Sequence, residues 1–241
     1  MRRVCFGILL TTLLSTGAWA DFDRGIALYR AGDVAGAAEE WKVDAKDGNV
    51  VAAYLLGNLY SQGNGVPQSE RIAFNYFMQA AWGGHPDSQL RVALMFRNGI
   101  PEAGLEKDYK SALDWFEKAA MQRNAEAQYY LALMHRNGEG VNRDRTEGLR
   151  WLMLSAKKEY PPAYLTLADL YLSGDSVAEN RKKAAIYLGL AQKKLGTDVP
   201  PDLSEQINKI SRRLTPEEAA AGRERAGELI AGGHTLPAAN D

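Results

Sequence analysis

The chain has 241 residues, of which 46% are hydrophobic and 24% are charged, and its 29 basic and 30 acidic residues give a net charge of −1. This length allows one or two cores of ordinary size, whereas the balanced charge disfavours nucleic acid, whose phosphates attract clustered Lys and Arg. Cys5 is the single cysteine, and it lies within the signal peptide predicted below. The predicted mature chain thus has no cysteine, which excludes disulfides, thiol catalysis and thiolate metal sites.

The first twenty residues have the order of a secretory signal peptide. Arg2 and Arg3 precede an apolar run from Val4 to Leu14, and the small residues of Ala18-Trp19-Ala20 follow. This order predicts a signal peptide over residues 1–20, cleaved after Ala20, and hence a periplasmic or secreted protein. The apolar run is short for a membrane span, and no later segment approaches about 18 consecutive apolar residues, so we expect a protein that does not span the membrane.

A glycine turn recurs along the chain, and an aromatic residue follows each turn. The first glycines of the turns lie 36, 39 and 36 residues apart. The glycines are Gly63, Gly99, Gly138 and Gly174, and the aromatic residues are Tyr76, Trp115, Trp151 and Tyr187. Self-similarity at such a period predicts a stacked array of helix pairs. We therefore interpret the RNGEGV turn, residues 136–141, as a helix connection, because a phosphate loop would follow a strand and carry Lys-Ser or Lys-Thr.

This pattern divides the chain into units. A shortened unit spans residues 21–49, and four full units span about residues 50–86, 87–123, 124–160 and 161–195. We predict that residues 196–233 form C-terminal capping helices, because a repeat array needs a polar outer face at its end. Thr215 is suited to cap the last of them, with Pro216 at the first helical position. A partner-docking role for these helices stays open, and residues 234–241 are predicted to be a flexible tail.

One unit shows the shared pattern most completely, and similar positions recur in the others. Its residues are Ala52, Leu56, Gly57, Tyr60, Gly63, Gly65, Val66, Ala73, Tyr76, Ala80, Ala81 and Gly84. The pattern resembles the Sel-one-like repeat (SLR), a relative of the tetratricopeptide repeat. The resemblance implies an all-α fold, an α-solenoid or superhelix of antiparallel helix pairs, used for protein–protein interaction and common in bacterial envelope proteins. Some family members carry cysteines that link the paired helices, and activities of those members are not transferred to this chain.

A second stripe of residues lies opposite the core stripe on the helix that precedes each glycine turn, which we call the first helix. Residues at i, i+4 and i+7 share one face of a helix. By the resemblance, first helices line a concave groove, and this stripe, the first-helix face, is the candidate partner-binding surface. Its residues are Arg30, Tyr54, Asn58, Leu90, Leu94, Arg97, Tyr129, Leu133, Arg136, Leu165 and Asp169. The alternative is that the first helices are apolar on two sides because both sides are buried.

The sequence favours binding over catalysis. His85, His135 and His234 lack partners at metal-ligand spacing, and no nucleophile motif occurs, so we expect no catalytic residue, metal, cofactor or small-molecule substrate. Tyr and Arg are enriched where partner chains bind. The predicted function is an exported, non-catalytic scaffold for a protein partner, such as an envelope protein or a sensor kinase. The alternatives are a peptidoglycan or glycan binder that stacks sugars on Tyr54, Tyr129 and Trp82, and a cell-wall hydrolase.

Overall fold

The computed structural model describes residues 17–234 and 236–237. Most of the predicted signal peptide, residues 1–16, and most of the predicted tail, residues 235 and 238–241, lie outside that part of the chain. The described residues form twelve α-helices and no strand, apart from an isolated bridge between Ile100 and Leu105. Neighbouring helices pack against each other in pairs, so the predicted all-α architecture of helix pairs is confirmed.

The first compact unit ends at Gly83. Its helices are α1 (Gly17–Arg30), α2 (Val34–Lys46), α3 (Val50–Gln62) and α4 (Glu70–Trp82). Each helix packs against the next, and small residues make the close approach possible. At Gly57 in α3, a Cβ atom would lie 2.5 Å from the ring of Phe77 in α4. The missing side chain therefore provides the space that the buried Phe77 ring fills.

The second compact unit begins at Gly84. Its helices are α5 (Pro86–Asn98), α6 (Tyr109–Met121), α7 (Ala125–Asn137), α8 (Arg145–Lys157), α9 (Pro161–Ser173), α10 (Arg181–Leu195), α11 (Pro201–Ser211) and α12 (Pro216–Ala231), with a short 3₁₀ turn at Pro101–Ala103. α5 pairs with α6, α7 with α8, and α9 with α10. Asn and Asp side chains begin many of these helices, as Asn124 does when it accepts a hydrogen bond from the Ala127 amide at 2.9 Å.

The glycine turns end the first helices. Gly63, Gly138 and Gly174 have φ values of 68°, 78° and 70°, and each amide donates to a carbonyl of the preceding helical turn. Only glycine adopts this left-handed conformation readily, which explains its recurrence. Gly99 has a similar φ of 69° but an extended ψ of 159°, because the chain there enters the longer connection that contains the 3₁₀ turn.

The array ends in two helices that are held differently. α12 lies side by side with α10, and Arg181 at the start of α10 forms an ion pair of 2.7 Å with Glu218 at the start of α12. Further along, a Cβ at Gly189 would lie 2.8 Å from the carbonyl oxygen of Gly222. α11 contacts α9 and, less extensively, α10. α12 therefore covers the second helix of the last repeat, while α11 lies against its first helix.

Candidate functional site

The two arginines on the first-helix face of the second compact unit, Arg97 and Arg136, form ion pairs within the chain. Arg97 Nε lies 3.0 Å from the Glu139 carboxylate, and its guanidinium lies 5.5 Å from the centre of the Tyr130 ring. Arg136 Nη2 lies 2.9 Å from the Asp175 carboxylate, and only 13% of the Arg136 side chain is exposed. In both cases the arginine belongs to one repeat and the carboxylate to the next, so the ion pairs brace the stacking of the repeats.

The carboxylates of these pairs are stabilised in their charged form. Burial opposes ionisation of Glu139, but hydrogen bonds from Asn137 and Arg97 outweigh it, and the pKa of Glu139 is lowered. Asp175 behaves in the same way, since burial is outweighed by hydrogen bonds from Arg136 and Ser176 and its pKa is also lowered. Much of the positive charge that the sequence placed on this face is therefore neutralised within the chain.

Sequence reasoning did not identify Glu139 and Asp175, although a signal for them exists. Each arginine stands two residues before a turn glycine, and each carboxylate directly follows the turn glycine of the next repeat. An arginine and an acid at these two positions in adjacent repeats become neighbours once the repeats stack. The pairing could have been predicted from that offset.

Between the arginines and the core lies a partly exposed strip of apolar and aromatic side chains. Leu94 in α5 and Leu133 in α7 are half-buried, whereas Leu90 is only 7% exposed and belongs mainly to the core. The ring of Tyr129 lies 5.5 Å from the ring of Tyr130 and 5.5 Å from that of Tyr160. Leu90 is therefore buried, as the alternative interpretation of the first helices expects. Leu94, Leu133 and Tyr129 remain partly exposed to solvent on this face.

Near the cluster of Tyr129, Tyr130 and Tyr160 lies a partly buried acid, Glu126. Burial raises the pKa of Glu126 in the first turn of α7, despite the opposing positive charge of Arg91. Burial also raises the pKa of Tyr160, and the nearby negative charge of Glu126 raises it further. The Tyr160 hydroxyl is therefore neutral at neutral pH and can donate a hydrogen bond.

In the last repeat, α11 covers the predicted binding positions. Leu165 is 1% exposed, and the Asp169 carboxylate forms an ion pair of 2.5 Å with Arg213, two residues beyond the end of α11. A cavity of about 230 Å³ remains between the first-helix face and α11. Its lining residues are Tyr129, Leu165, Thr166, Asp169, Gln206, Lys209 and Ile210. Leu165 and Asp169 thus face a helix of the same chain.

The remaining predicted residues lie in the first unit. Arg30 is the exposed last residue of α1. Tyr54 and Asn58 are half-buried on α3, where the Asn58 amide donates to the Tyr54 carbonyl oxygen at 3.2 Å and the Tyr54 ring lies 6.1 Å from that of Phe77. Trp82, which the glycan alternative uses, ends α4 and is 71% exposed.

His85 has a structural role at the start of a helix. His85 accepts a hydrogen bond from the Ser88 amide at 3.3 Å as the cap of α5, and burial lowers the pKa of its imidazole. Among the residues that the structure describes, no three His, Cys, Asp or Glu side chains are grouped as a metal ion would require. Within the same residues, no helix combines the length and the apolar character that crossing a membrane takes.

Comparison with known proteins agrees with this geometry. The family model of the Sel1 repeat matches residues 50–85, 86–124, 125–160 and 161–191. A crystal structure of a Sel1 repeat protein from Oxalobacter formigenes is similar with a TM-score of 0.72 and 24% identity, over 91% of each chain. A protective antigen of uropathogenic Escherichia coli that displays an SLR fold has a TM-score of 0.56 and 19% identity, over 89% of this chain and 53% of that one.

A curated relative adds a regulatory protein to these neighbours. The exopolysaccharide production negative regulator of Rhizobium meliloti (strain 1021) is 28% identical over 107 residues, which cover 40% of this chain and 40% of the relative. The chain thus matches about two fifths of the length of that relative. Because the repeat model covers more than half of the chain, the predicted resemblance is confirmed, and this protein belongs to the Sel1 repeat family.

Proposed function

We propose that this protein is an exported, periplasmic scaffold without catalytic activity, which binds a segment of an envelope protein or sensor and regulates the complex to which that partner belongs. Sel1 repeat proteins are generally protein-interaction scaffolds, and the relative from Rhizobium meliloti is a negative regulator. The order of residues 1–20, with basic, apolar and small residues in turn, supports export.

The observation that carries the proposal is the strip on the first-helix face of the second unit. Leu94, Leu133 and Tyr129 are partly exposed there, next to ion pairs that join successive repeats. A rigid surface loses little conformational entropy on binding, so more of the contact energy is available for affinity. Apolar side chains surrounded by hydroxyl groups and charged groups are typical of the centre and rim of a protein interface.

A capture experiment tests this function. The full-length protein and its Leu94→Gln/Leu133→Gln variant are expressed with the same C-terminal tag, cross-linked in cells and purified from solubilised envelopes. The matched control is Asp114→Lys, which changes an exposed residue on the second helix α6. We expect the double variant to lose at least about ten-fold of the captured partner, whereas the control captures as much as the parent does.

Exchanging the charges of the Arg97–Glu139 ion pair distinguishes a role in repeat stacking from direct contact with the partner. Arg97→Glu alone places two carboxylates together, and Arg97→Glu/Glu139→Arg restores an ion pair with its charges reversed. We expect the exchange to recover the melting temperature and the capture of partner, because the pair acts through stacking.

Equal capture by the parent and the Leu94→Gln/Leu133→Gln variant would contradict the proposed surface, and retention on purified wall material without any protein would favour the glycan alternative.

A further inference from the structure

The helix α11 does not continue the packing of the repeats. In the last full repeat the first helix α9 packs closely along its second helix α10, but α11 has little contact with α10 and still less with α12. Instead, α12 lies directly beside α10, where Gly189 and Gly222 allow the two backbones to approach. The position next to α10 is thereby taken, and α11 lies on the first-helix face of α7 and α9.

The side of α11 that meets this face is a short amphipathic pattern. Leu203, Ile207 and Ile210 follow one another at helical spacing, and Ile210 is the buried residue of the helix. Leu203 and Ile207 pack partly buried against the core cluster, to which Tyr129 and Tyr160 also contribute. α11 therefore contacts the face as an amphipathic helix in a groove would, through residues at i, i+4 and i+7.

Charge complementarity fixes one end of α11. Arg213 stands three residues after Ile210 and forms its ion pair with Asp169 on the face. Both side chains are substantially exposed, so the pair orients the helix more than it holds it. The segment that fits the face thus has three apolar residues at helical spacing, Leu203, Ile207 and Ile210, followed one turn later by the basic residue Arg213.

The fit of α11 is incomplete. A cleft of about 230 Å³ lies beside α11, between the exposed Gln206 and Lys209 and the face. Ile210 is buried, but this side of α11 makes no continuous contact with the face. α12 has its own attachment to α10 through the glycine contacts and the pair Arg181–Glu218. Residues 197–212 can therefore leave the face while both flanking helices stay in place. The Arg213 carbonyl oxygen, which accepts a hydrogen bond from Arg181, the buried Leu214 and the capping residue Thr215 remain attached to α10 and α12.

We infer that α11 is a displaceable internal ligand of the first-helix face, and that the partner replaces it with an amphipathic helix carrying the same three apolar positions and terminal basic residue. This inference rests on the proposed function, since it names the chemistry of the partner and the segment with which the partner competes. The part of the face on α7 and α9 that α11 contacts is then occupied in the free scaffold, and binding there requires α11 to lift away.

The test uses a fluorescein-labelled synthetic peptide of residues 200–215 as the probe, with full-length protein carrying Cys5→Ser. In the opened variant, Leu203→Ser/Ile207→Ser weakens the hold of α11. In the closed variant, Asp169→Cys/Arg213→Cys is bridged with bismaleimidoethane, so α11 cannot leave. We expect saturable binding to the opened variant, at least about ten-fold tighter than to the closed variant, measured by fluorescence anisotropy. A peptide with Ser at positions 203 and 207 is the matched control and should not bind.

Hydrogen exchange of the unmodified protein gives a second, independent measurement. We expect the amides of α11 to exchange at least about ten-fold faster than those of α12, because α11 opens while α12 stays docked. Failure of the peptide to bind the opened variant, or exchange in α11 as slow as in α12, would overturn the inference. Envelope partner captured equally well by the closed variant would also overturn it and leave the scaffold function intact, whereas peptide binding without any envelope partner would contradict the scaffold function alone.

Discussion

The two helices that follow the repeats, α11 and α12, show how differently neighbouring segments can be attached to one scaffold. α12 buries Gly222, Ala226 and Leu229 against the array, whereas α11 buries only Ile210 among its own residues. Small residues let α12 approach the backbone of α10, while a cleft of about 230 Å³ lies between α11 and the first-helix face. α12 is therefore packed closely into the core, whereas α11 lies on the first-helix face and buries only one of its own residues.

The largest expected effect comes from removing the close approach of α12. A Cβ at Gly222 would collide with the backbone of Ala185, which cannot move aside as a flexible side chain could. Gly222→Leu should therefore displace α12 and cost about 3 kcal/mol or more of the free energy of unfolding. Thermal and denaturant unfolding followed by circular dichroism measure this loss.

Gly227→Ala is the matched control for that variant. The added Cβ would lie 3.2 Å from Lys193 Nζ, the mobile end of a long side chain. Because Ala favours a helix over Gly by up to about 1 kcal/mol, this variant should be as stable as the parent or slightly more stable. Equal stability of Gly222→Leu and the parent would contradict the close packing of α12.

A smaller and local effect is expected for α11. Ile210 is 3% exposed, and truncating a buried Ile to Ala costs about 2 kcal/mol or more when the site cannot collapse. Ile210→Ala should accelerate hydrogen exchange in α11 and leave the amides of α12 protected as before. A uniform loss of protection in both helices would show that they unfold together and would remove the contrast between them.

The start of α12 should respond to acid. Hydrogen bonds from the Arg181 guanidinium and the Thr215 amide lower the pKa of Glu218 to about 2, below its ordinary value of 4.5. A lowered carboxyl pKa contributes stability above the ordinary value, and this contribution is lost as the pH falls from 4.5 towards 2. In Glu218→Gln, the melting temperature should therefore fall less steeply over that range than in the parent. Parallel curves for the two proteins would contradict the role of the charged Glu218.

The smallest effect is expected at the ion pair of α11. Arg213 and Asp169 are both substantially exposed, and exposed ion pairs contribute at most about 1 kcal/mol. Arg213→Ala should leave the melting temperature nearly unchanged. It should also leave the affinity for the peptide of residues 200–215 nearly unchanged, because the pair orients α11 more than it holds it. Isothermal unfolding with 1 M salt checks the same point, since salt should weaken the parent towards the variant.

The sequence predicted the array because its determinants are local and repeated. Glycine at the end of each first helix meets a steric requirement that Gly63, Gly138 and Gly174 satisfy in the same way. The helix pairs follow from the apolar pattern around these turns. The partner-binding role of the first-helix face and the export of the chain stay predictions, which the proposed experiments address.

The position of α11 could not be predicted, because it depends on what occupies the neighbouring space. The sequence identifies two helices after residue 195 but carries no local signal that α12 takes the place beside α10. The bracing role of Arg97 and Arg136 was missed for a related reason, since their partners Glu139 and Asp175 are distant in sequence and meet only when the repeats stack. Contacts between units require the stacking geometry as well as the repeat itself.

Site-specific photo-cross-linking tests the central claim most directly. A benzophenone amino acid placed at Leu133 probes the first-helix face, and the same group at Asp114 probes the exposed side of the second helix α6. After irradiation of cells that express the full-length protein, we predict a discrete cross-linked protein from position 133 and none from position 114. Cross-linking of the same partner from position 114 and not from position 133 would contradict the account.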